Sequence, residues 1–296
     1  MDFNKRIPGA SVWASALVAL CLVSLQARAT VHQAGPKALR DPSLKSASVL
    51  VVDPTDSSVL LSKNADVAAP IASITKLMTA LVVLDAGQSL EEPIEVTAAD
   101  QDFGKGWSSR LKVGTMLTRG DMMHLALMSS ENRAAHALGS AYPGGIPALV
   151  VAMNAKAVSL GMSGAHFVEP TGLSSENVAS PEDLAKLVVA ASRNPTIRSF
   201  STDPSYAVRV QRHLVEFRNT DKLVSNKTWN IIVQKTGYIS EAGRCLVMEA
   251  VIEGRSVVIV LLDSFGKYTR LADATRVKNW LQTIGVGARL TQVSMR

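Results

Sequence analysis

Three short motifs in this sequence carry residue types that can perform nucleophilic catalysis together. A serine hydroxyl is a weak nucleophile until a neighbouring base removes its proton. A lysine can be that base when burial and a second nearby cation favour its neutral amine. The motifs that supply such groups are Ser73-Ile-Thr-Lys76, Ser130-Glu-Asn132 and Lys235-Thr236-Gly237. We therefore expect a serine–lysine active site, provided that the fold brings the three motifs together.

The first motif is common by chance, so its position along the chain decides its meaning. Ser-x-x-Lys also occurs at Ser109 and Ser264, in loop-like stretches with nearby glycines. Ser73, in contrast, stands at the start of an apolar helix predicted over residues 70–86. Lys76 then shares a helix face with Ser73, in a first turn where the helix dipole favours an acid. A cation that violates this local rule indicates a functional role.

The positions of the other two motifs along the chain decide their meaning in the same way. Four Ser-x-Asn matches occur, at Ser62, Ser130, Ser175 and Ser192. Only the Ser130 match lies within the helical run "LALMSSENRAA". Lys-Thr-Gly occurs once, along the apolar strand "WNIIVQKTGY" at 229–238, where a glycine lets a ligand approach the strand edge.

The elements that must position these motifs follow a simple order along the chain. Residues 46–63 read as a hairpin, residues 70–194 are helical, and strands return beyond residue 205. A second hairpin turns at Glu253-Gly254, and an amphipathic helix over 268–285 closes the pattern. Strands at both ends with helices between them predict an α+β fold, one antiparallel sheet that carries an inserted helical lobe.

Helix boundaries within the lobe have clear signals. The first helix should end at Gly87, a second should begin near Arg119, and a later one should end at Gly161. Ser180 before Pro181, with an acid at the third helical position, predicts a further helix start.

The N-terminal residues 1–29 have the pattern of a secretory signal. Lys5 and Arg6 precede an uncharged run, which Ala27-Arg28-Ala29 follows as a cleavage site. An uncleaved membrane anchor is the alternative, and a lipoprotein cysteine at Cys21 is disfavoured by Leu20 before it. We expect the mature chain to begin at Thr30, with a tail over 30–45 and one domain over 46–290.

Composition excludes several classes of function. The chain has 296 residues, of which 47% are hydrophobic and 19% charged, as in ordinary globular proteins. Removing residues 1–29 takes three basic residues and one acid from a net charge of +6, leaving about +4 without a basic stripe, so nucleic acid is not an expected partner. Cys245 is then the remaining cysteine, so no intramolecular disulfide can form, and its apolar strand predicts a packing role.

At the three motifs the chain closely resembles the serine D-alanyl-D-alanine peptidases, the low-molecular-mass penicillin-binding proteins. The motifs occur in that family's order, at spacings close to the family's. Wider strings resemble its endopeptidase branch, the penicillin-binding protein 7 type. These strings are "PIASITKLMTALVVLDA", "LALMSSENRAA", "FVEPTGL" and "FGKYTR". The resemblance covers residues 45–285, and it implies a β-lactamase/transpeptidase-like fold, an antiparallel sheet flanked by N- and C-terminal helices, with a cleft between sheet and lobe.

The resemblance implies roles for the residues that move protons. Ser73 is expected to be the acylated nucleophile, Lys76 its base, and Ser130 the relay that protonates the leaving amine. The backbone N–H groups of Ser73 and Tyr238 are expected to form the oxyanion hole, which usually contributes several kcal/mol to transition-state stabilisation.

The resemblance also implies roles in substrate binding. Asn132 is expected to hydrogen-bond the substrate peptide, Lys235 to supply positive potential, and Thr236 to bind a terminal carboxylate. Gly237 permits close approach of the ligand, and Arg270 is expected to help hold the carboxylate.

The implied reaction is hydrolysis of D-alanine-containing peptide cross-links of peptidoglycan in the periplasm through an acyl-enzyme. β-Lactams are expected to acylate Ser73, and neither a metal nor a cofactor is expected. The alternative within the family is a carboxypeptidase that trims pentapeptide stems. Family carboxypeptidases commonly add a C-terminal β-rich domain and an amphipathic anchor, which this sequence lacks, and this favours a periplasmic endopeptidase without a stable membrane anchor.

Three rival functions remain to be tested. A class A β-lactamase needs a glutamate to activate water; Glu169 is the nearest candidate, but Leu173 replaces the asparagine expected four residues later. A non-catalytic penicillin- or peptidoglycan-binding module is disfavoured by the intact motifs. A zinc peptidase needs histidines at ligand spacing, which the five histidines lack; these are His32, His124, His136, His166 and His213.

Overall fold

The computed structural model describes residues 42–101, 109–284 and 293–294, all within the unit that runs from residue 40 to the C-terminus. The described strands are β1 Ser46–Val52, β2 Val59–Lys63, β3 Ala69–Pro70, β4 Pro93–Glu95, β5 Met116–Thr118, β6 Val178–Ala179, β7 Ser205–Val210, β8 His213–Arg218, β9 Asn230–Ile239, β10 Gly243–Ile252, β11 Arg255–Ser264 and β12 Val293–Ser294. The described α-helices are α1 Thr75–Asp85, α2 Arg119–Met128, α3 Asn132–Ser140, α4 Gly145–Ser159, α5 Pro181–Ser192, α6 Pro195–Thr202 and α7 Thr269–Ile284. None of them combines the length and apolar character that a bilayer crossing requires.

Six strands form the main sheet, in the order β12-β2-β1-β11-β10-β9. The five strands from β2 to β9 pair antiparallel, as the sequence predicts, whereas β12 pairs in parallel with β2. Strand β12 lies beyond residue 290, where the predicted domain ends. Strand β9, which carries Lys-Thr-Gly, is therefore an edge strand of the sheet, and it packs against α6 of the helical lobe.

Both faces of the sheet are buried, which explains the continuous apolar run of β11. Val258 and Val260 join the core shared with the helical lobe. Ile259 and Leu261, which point to the opposite face, pack in the core beneath α7. A strand that is covered on both faces has no solvent side, so polar residues do not alternate with apolar ones.

Several predicted boundaries are confirmed. The hairpins at 46–63 and about Glu253-Gly254 form, α2 begins at Arg119, and α4 ends just before Gly161. Ser180 caps α5 in a capping box, with Pro181 in the first turn.

Two local predictions are wrong. The helical region continues past Asn194, because the Asn194 side chain accepts N–H groups of Thr196 and Ile197 and so caps a further helix, α6. Ser264 ends β11 instead of lying in a loop, and its hydroxyl is 2.6 Å from that of Ser46 on the neighbouring strand. The first error is an overlooked local cap signal, because Asn194 before Pro195 resembles Ser180 before Pro181. The second comes from a partner on another strand, which only the folded chain reveals.

Candidate active site

Ser73 lies in a tight turn before α1 and not in the helix itself. Residues Ala72–Ile74 form one 3₁₀ turn, and Ala72 has a positive φ of 48°. The hydroxyl of Thr75 donates a 2.8 Å hydrogen bond to the Ala72 carbonyl and holds this turn in place. The predicted helix start at residue 70 is therefore wrong by a few residues. Strained backbone of this kind is concentrated at functional sites, where the surrounding structure maintains it.

The Lys76 ammonium is fully enclosed, although the residue lies in the first turn of α1. Its Nζ is 2.8 Å from Ser73 Oγ, 2.8 Å from Asn132 Oδ1 and 2.5 Å from the Thr171 carbonyl oxygen. Burial lowers the pKa of Lys76 to about 7, against the smaller opposing effect of the Glu169 and Glu131 carboxylates. Near neutral pH a large fraction of the amine is therefore unprotonated.

The three partners of Lys76 decide where its lone pair points. A neutral amine has two N–H donors and one lone pair. The oxygens of Asn132 and Thr171 can only accept, so they take the two N–H groups. The remaining partner, the Ser73 hydroxyl, is the one that can donate. The neutral amine is thus oriented to remove the proton of Ser73.

The loop that follows Glu169 delivers the Thr171 carbonyl, a feature that sequence reasoning missed. The Glu169 carboxylate accepts N–H groups of Thr171 and Gly172, each at 2.5 Å, and the Asn177 amide at 2.9 Å. The Asn177 amide also donates to Thr75 Oγ1 at 3.1 Å. The carboxylate is occupied within its own loop, which contradicts its use as a water-activating base.

Gly172 packs directly on the turn that carries the nucleophile. Its φ is +78°, and a Cβ added there would lie 1.9 Å from the Ala72 oxygen and 2.8 Å from the Ser73 nitrogen. Only glycine fits at this position. The string "FVEPTGL" was the available signal in the sequence, but nothing in it reveals which backbone it touches.

Ser130 and Lys235 form a second serine–lysine pair. Lys235 Nζ donates to Ser130 Oγ at 2.8 Å and to the Thr236 carbonyl at 2.9 Å. Burial, then the positive charges of Lys76 and Arg270, lower the pKa of Lys235 well below its ordinary value. Ser130 itself has a φ of 61° between α2 and α3, which is unusual for a residue with a side chain.

The edge of β9 lies against the Ser73 turn. A Cβ on Gly237 would lie 2.9 Å from the Ile71 oxygen and 3.2 Å from the Ser73 nitrogen, so glycine permits this close approach. The hydroxyl of Thr236 is 2.7 Å from that of Thr220, a residue that the sequence did not single out.

Arg270, in the first turn of α7, is largely buried and is close to an acid. The buried Asp221 acts electrostatically on the guanidinium, although no ion pair within 4 Å joins the two among the described contacts. The Nε of Arg270 and the Oδ2 of Asp221 both have no hydrogen-bond partner among the described residues. Burial raises the pKa of Asp221 to about 6.

These groups converge on one cleft of about 290 Å³ between the sheet edge and the helical lobe. Seven of the nine predicted site residues line it, namely Ser73, Ser130, Asn132, Thr236, Gly237, Tyr238 and Arg270. Lys76 and Lys235 lie buried directly beneath two of these hydroxyls. Residues that line the cleft without having been predicted are Ser109, Ser129, Glu131, Arg133 and Thr220.

The other candidate chemical groups have structural roles. Cys245 is fully buried, and burial raises the pKa of its thiol to about 11, which fits the predicted packing role. His124 stacks between two aromatic rings and pairs with Asp203 at 3.0 Å, while His136 contacts Asp100 at 2.6 Å. His32 lies outside the described residues.

Comparison with known proteins gives a consistent set of relatives. A family model described as D-alanyl-D-alanine carboxypeptidase, peptidase S11, matches residues 35–266. The chain is 50% identical over 242 residues to a D-alanyl-D-alanine endopeptidase of Pseudomonas aeruginosa, covering 81% of this chain and 78% of the relative. It is 44% identical over 269 residues to a D-alanyl-D-alanine endopeptidase of Escherichia coli, covering 90% of this chain and 87% of the relative.

Solved structures agree with the predicted fold class. The Streptomyces K15 DD-transpeptidase superposes with a TM-score of 0.76 at 27% identity, over 81% of this chain and 98% of that one. A D-alanyl-D-alanine carboxypeptidase from Mycobacterium tuberculosis gives a TM-score of 0.76 at 27% identity, over 88% of this chain and 98% of that one. The α+β prediction is therefore confirmed.

Proposed function

Because this chain belongs to the D-alanyl-D-alanine carboxypeptidase family, peptidase S11, we propose that it is a serine DD-endopeptidase that hydrolyses peptidoglycan cross-links. The observation that carries this proposal is the buried Lys76 amine, with a pKa of about 7 and 2.8 Å from the Ser73 hydroxyl. The chain is a hydrolase that acts on D-alanyl-D-alanine peptides. The proposal adds which bond it cuts, namely the peptide cross-link of the cell wall.

Acylation begins with proton transfer from Ser73 Oγ to the neutral amine of Lys76. The oxygen then bonds to the carbonyl carbon of a D-alanine, and the carbonyl electron pair moves onto its oxygen. The N–H groups of Ser73 and Tyr238 stabilise that oxyanion, since donors that are fixed before reaction need not reorganise. The intermediate collapses when its C–N bond breaks, and Ser130 gives its proton to the departing amine. The proton that Lys76 took from Ser73 then replaces the one that Ser130 has lost, which leaves Lys76 neutral again.

Ser130 suits this transfer because its hydroxyl accepts a hydrogen bond from Lys235 at 2.8 Å. A nearby cation stabilises the alkoxide character that the oxygen gains when it releases its proton. Water then attacks the ester carbonyl, the neutral amine of Lys76 takes the proton of that water, and Lys76 returns it to Ser73 Oγ when the serine leaves as the alcohol.

Substrate binding uses the same side of the cleft. A terminal or neighbouring carboxylate would lie between Thr236 and Arg270, with Lys235 supplying positive potential. Arg270 lines the cleft, so its guanidinium would carry the positive charge that such an anion requires. Asn132, whose oxygen is held by Lys76, keeps its amide N–H groups for the substrate backbone.

The endopeptidase assignment is supported by the two relatives at 50% and 44% identity, which carry that name. The carboxypeptidase alternative is supported by the name of the family and by more distant relatives at 27% and 30% identity. The two activities share one acylation step and differ in the amine that leaves.

A product analysis distinguishes them. Protein lacking residues 1–29, with Ser73→Ala as the control, would be incubated with cross-linked muropeptide dimers and with pentapeptide monomers. An endopeptidase converts dimers to monomers only with Ser73 present. Release of D-alanine from pentapeptides with the dimers untouched would make the enzyme a carboxypeptidase.

We further propose a periplasmic location, with residues 1–29 removed as a signal peptide and with 46–290 as the single catalytic domain. The residue pattern of 1–29 supports this proposal. β-Lactams, as cyclic amides that mimic the scissile bond, would acylate Ser73 and act as covalent inhibitors.

A further inference from the structure

Exposed aromatic side chains are gathered at one end of the main sheet. Nine large hydrophobic side chains among the described residues are exposed, and the three aromatic ones are Tyr238, Phe265 and Tyr268. Phe265 is 91% exposed, the highest value of the nine. We call these three rings the aromatic rim. Single exposed apolar side chains are ordinary, but rings grouped beside a cleft indicate a contact surface.

Strand register brings the rim together. Arg244 on β10 pairs with Tyr238 on β9 and with Ser264 on β11. Because neighbouring strands are spaced by about 4.8 Å, the backbones of Tyr238 and Ser264 lie about 10 Å apart. Phe265 directly follows Ser264, and Tyr268 precedes the start of α7. Since Tyr238 lines the active-site cleft, the rim is continuous with it.

Cations accompany the rings. The Arg244 guanidinium lies 4.3 Å from the centre of the Tyr238 ring. The ammonium groups of Lys222 and Lys267 lie 5.3 and 5.5 Å from the centre of the Tyr268 ring. None of these three cations has an acidic partner within 4 Å among the described ion pairs. The rim thus combines exposed aromatic rings with positive charge that no described acidic partner neutralises.

We propose that the aromatic rim binds the glycan strand of peptidoglycan while the cleft holds the peptide cross-link. This inference rests on the proposed function, because it extends the substrate of the same site. A pyranose ring presents a flat face of C–H groups that packs on an aromatic ring. The sugars of this polymer bear carboxyl-containing lactyl and peptide substituents, which match the cations beside the rings.

The make-up of the rim favours a polymer strand over other occupants. A stable protein interface buries about 800 Å² on each side, far more than three separated rings supply. The strand register extends the rim from Tyr238, which lines the cleft, across β10 to the residue before Phe265, a direction in which a strand of sugars could leave the cleft. The same two chain segments that carry Tyr268 and Lys222 also reach the cleft, through Arg270 and Thr220.

The test compares binding with turnover. In a Ser73→Ala background, Phe265→Ala/Tyr268→Ala would be pelleted with intact sacculi and, separately, titrated with soluble glycan strands stripped of peptides. The matched control is Val151→Ala/Val158→Ala, which removes two exposed aliphatic side chains from α4. The same two double variants, made in protein that retains Ser73, would be assayed for hydrolysis of soluble muropeptide dimers. Vesicles with anionic lipid serve as a further binding partner.

We expect the rim variant to lose about tenfold in affinity for both sacculi and peptide-free strands, with the control pair unchanged. Dimer turnover by the rim variant should stay within about twofold of the parent, because the acylation machinery is untouched. Unchanged binding to peptide-free strands would overturn the proposal, even if sacculus binding fell, since the rim would then recognise stem peptides. A loss confined to vesicles would assign the rim to a membrane instead. Because binding is measured without Ser73, failure of the catalytic proposal would appear only in the dimer assay.

Discussion

Lys76 and Lys235 place two cations in one buried site, each beside a serine hydroxyl. Burial favours the neutral amine of Lys76, which is what a base requires. The unusual position of Lys76 in the first turn of its helix is therefore explained by its chemistry, and its positive charge is not needed there.

The pH dependence of acylation follows from Lys76. Because the neutral amine is the active form, the rate of acylation by a fluorescent penicillin should rise with pH through about 7 and then level off. Lys76→Met should lower that rate by about 10³-fold. Lys76→Arg should lose as much, since a guanidinium stays charged at these pH values. Rapid acylation by the arginine variant would disprove the neutral-base account.

Acylation should depend strongly on Gly172, although this residue makes no contact through a side chain. Gly172→Ala would push the Ala72–Ser73 peptide away, because the added Cβ falls 1.9 Å from the Ala72 oxygen. A displacement of about 1 Å at a nucleophile costs about 100-fold in rate. Stopped-flow acylation of the purified variant measures this loss.

Gly161→Ala is the matched control for that experiment. Gly161 has a similar φ of +71°, but no atom lies within 4 Å of its added Cβ. Because of backbone strain, Gly161→Ala should lower the free energy of unfolding by about 1 kcal/mol, and its acylation rate should not change. Equal acylation rates in the two variants would contradict the role given to Gly172.

At the residue scale the sequence singles out groups that the structure brings together, but it does not reveal the residues that support them. Ser73, Lys76, Ser130 and Lys235 follow from type and spacing. Thr220 and Thr171 could not be found in this way. Thr220 acts through a hydroxyl contact with Thr236 on another element, and Thr171 acts through its backbone carbonyl, and neither contact leaves a trace in the residue pattern. Such contacts depend on the folded path of a distant loop.

Among the elements, the loop from Glu169 to Asn177 determines whether the enzyme resembles a β-lactamase in mechanism. Both carboxylate oxygens of Glu169 accept N–H groups. A glutamine at this position would replace one of these oxygens by an NH₂ group, which would face an N–H donor and could not accept from it. Glu169→Gln should therefore cost about 2 kcal/mol of stability and, by moving Thr171 away from Lys76, lower the acylation rate about tenfold.

Glu176→Gln is its control, an exposed glutamate in the same loop, and it should resemble the parent. Thermal unfolding and separate measurements of acylation and deacylation would be made on both variants. A Glu169→Gln enzyme that acylates normally and accumulates acyl-enzyme would show that Glu169 activates water, as in the rival hypothesis.

Element types were easier to predict than element ends. The capping signals at Ser180 and the glycine at Gly161 are local, and the structure confirms both. The start of α1 was misplaced because the positive φ of Ala72 is imposed by Gly172 and Thr75, one of them about 100 residues away. Propensity cannot report a conformation that a remote segment enforces.

In the molecule as a whole, the cleft lies between the edge of the main sheet and the helical lobe. The order of strands and helices was sufficient to predict this architecture. It was not sufficient to predict that β9 would be the edge strand beside Ser73, because strand order depends on tertiary pairing.

Asp221, a buried acid next to the cleft-lining Thr220, should affect global stability. The pKa of Asp221 is about 6 in the folded protein against 3.8 for a free side chain, so the folded state binds the proton more tightly. Stability is therefore lost as pH rises from about 4 to 6. Asp221→Asn keeps an oxygen for the Leu223 N–H and removes the charge.

That variant should be more stable than the parent by about 2 kcal/mol above pH 6, a gain of about 5 °C in Tm. The gain should disappear near pH 4. Asp66→Asn, at an exposed aspartate, is the control and should show no such trend. A Tm difference that does not change with pH would contradict the buried-charge explanation.

The most direct test of the central claim is to locate the covalent intermediate. The protein would be incubated with benzylpenicillin, and its intact mass and proteolytic peptides would be measured by mass spectrometry. We predict one adduct per chain, on the peptide that contains Ser73, and no adduct in Ser73→Ala. An adduct on Ser130 or Ser109, or one that persists in Ser73→Ala, would contradict Ser73 as the nucleophile and with it the mechanism proposed for this cleft.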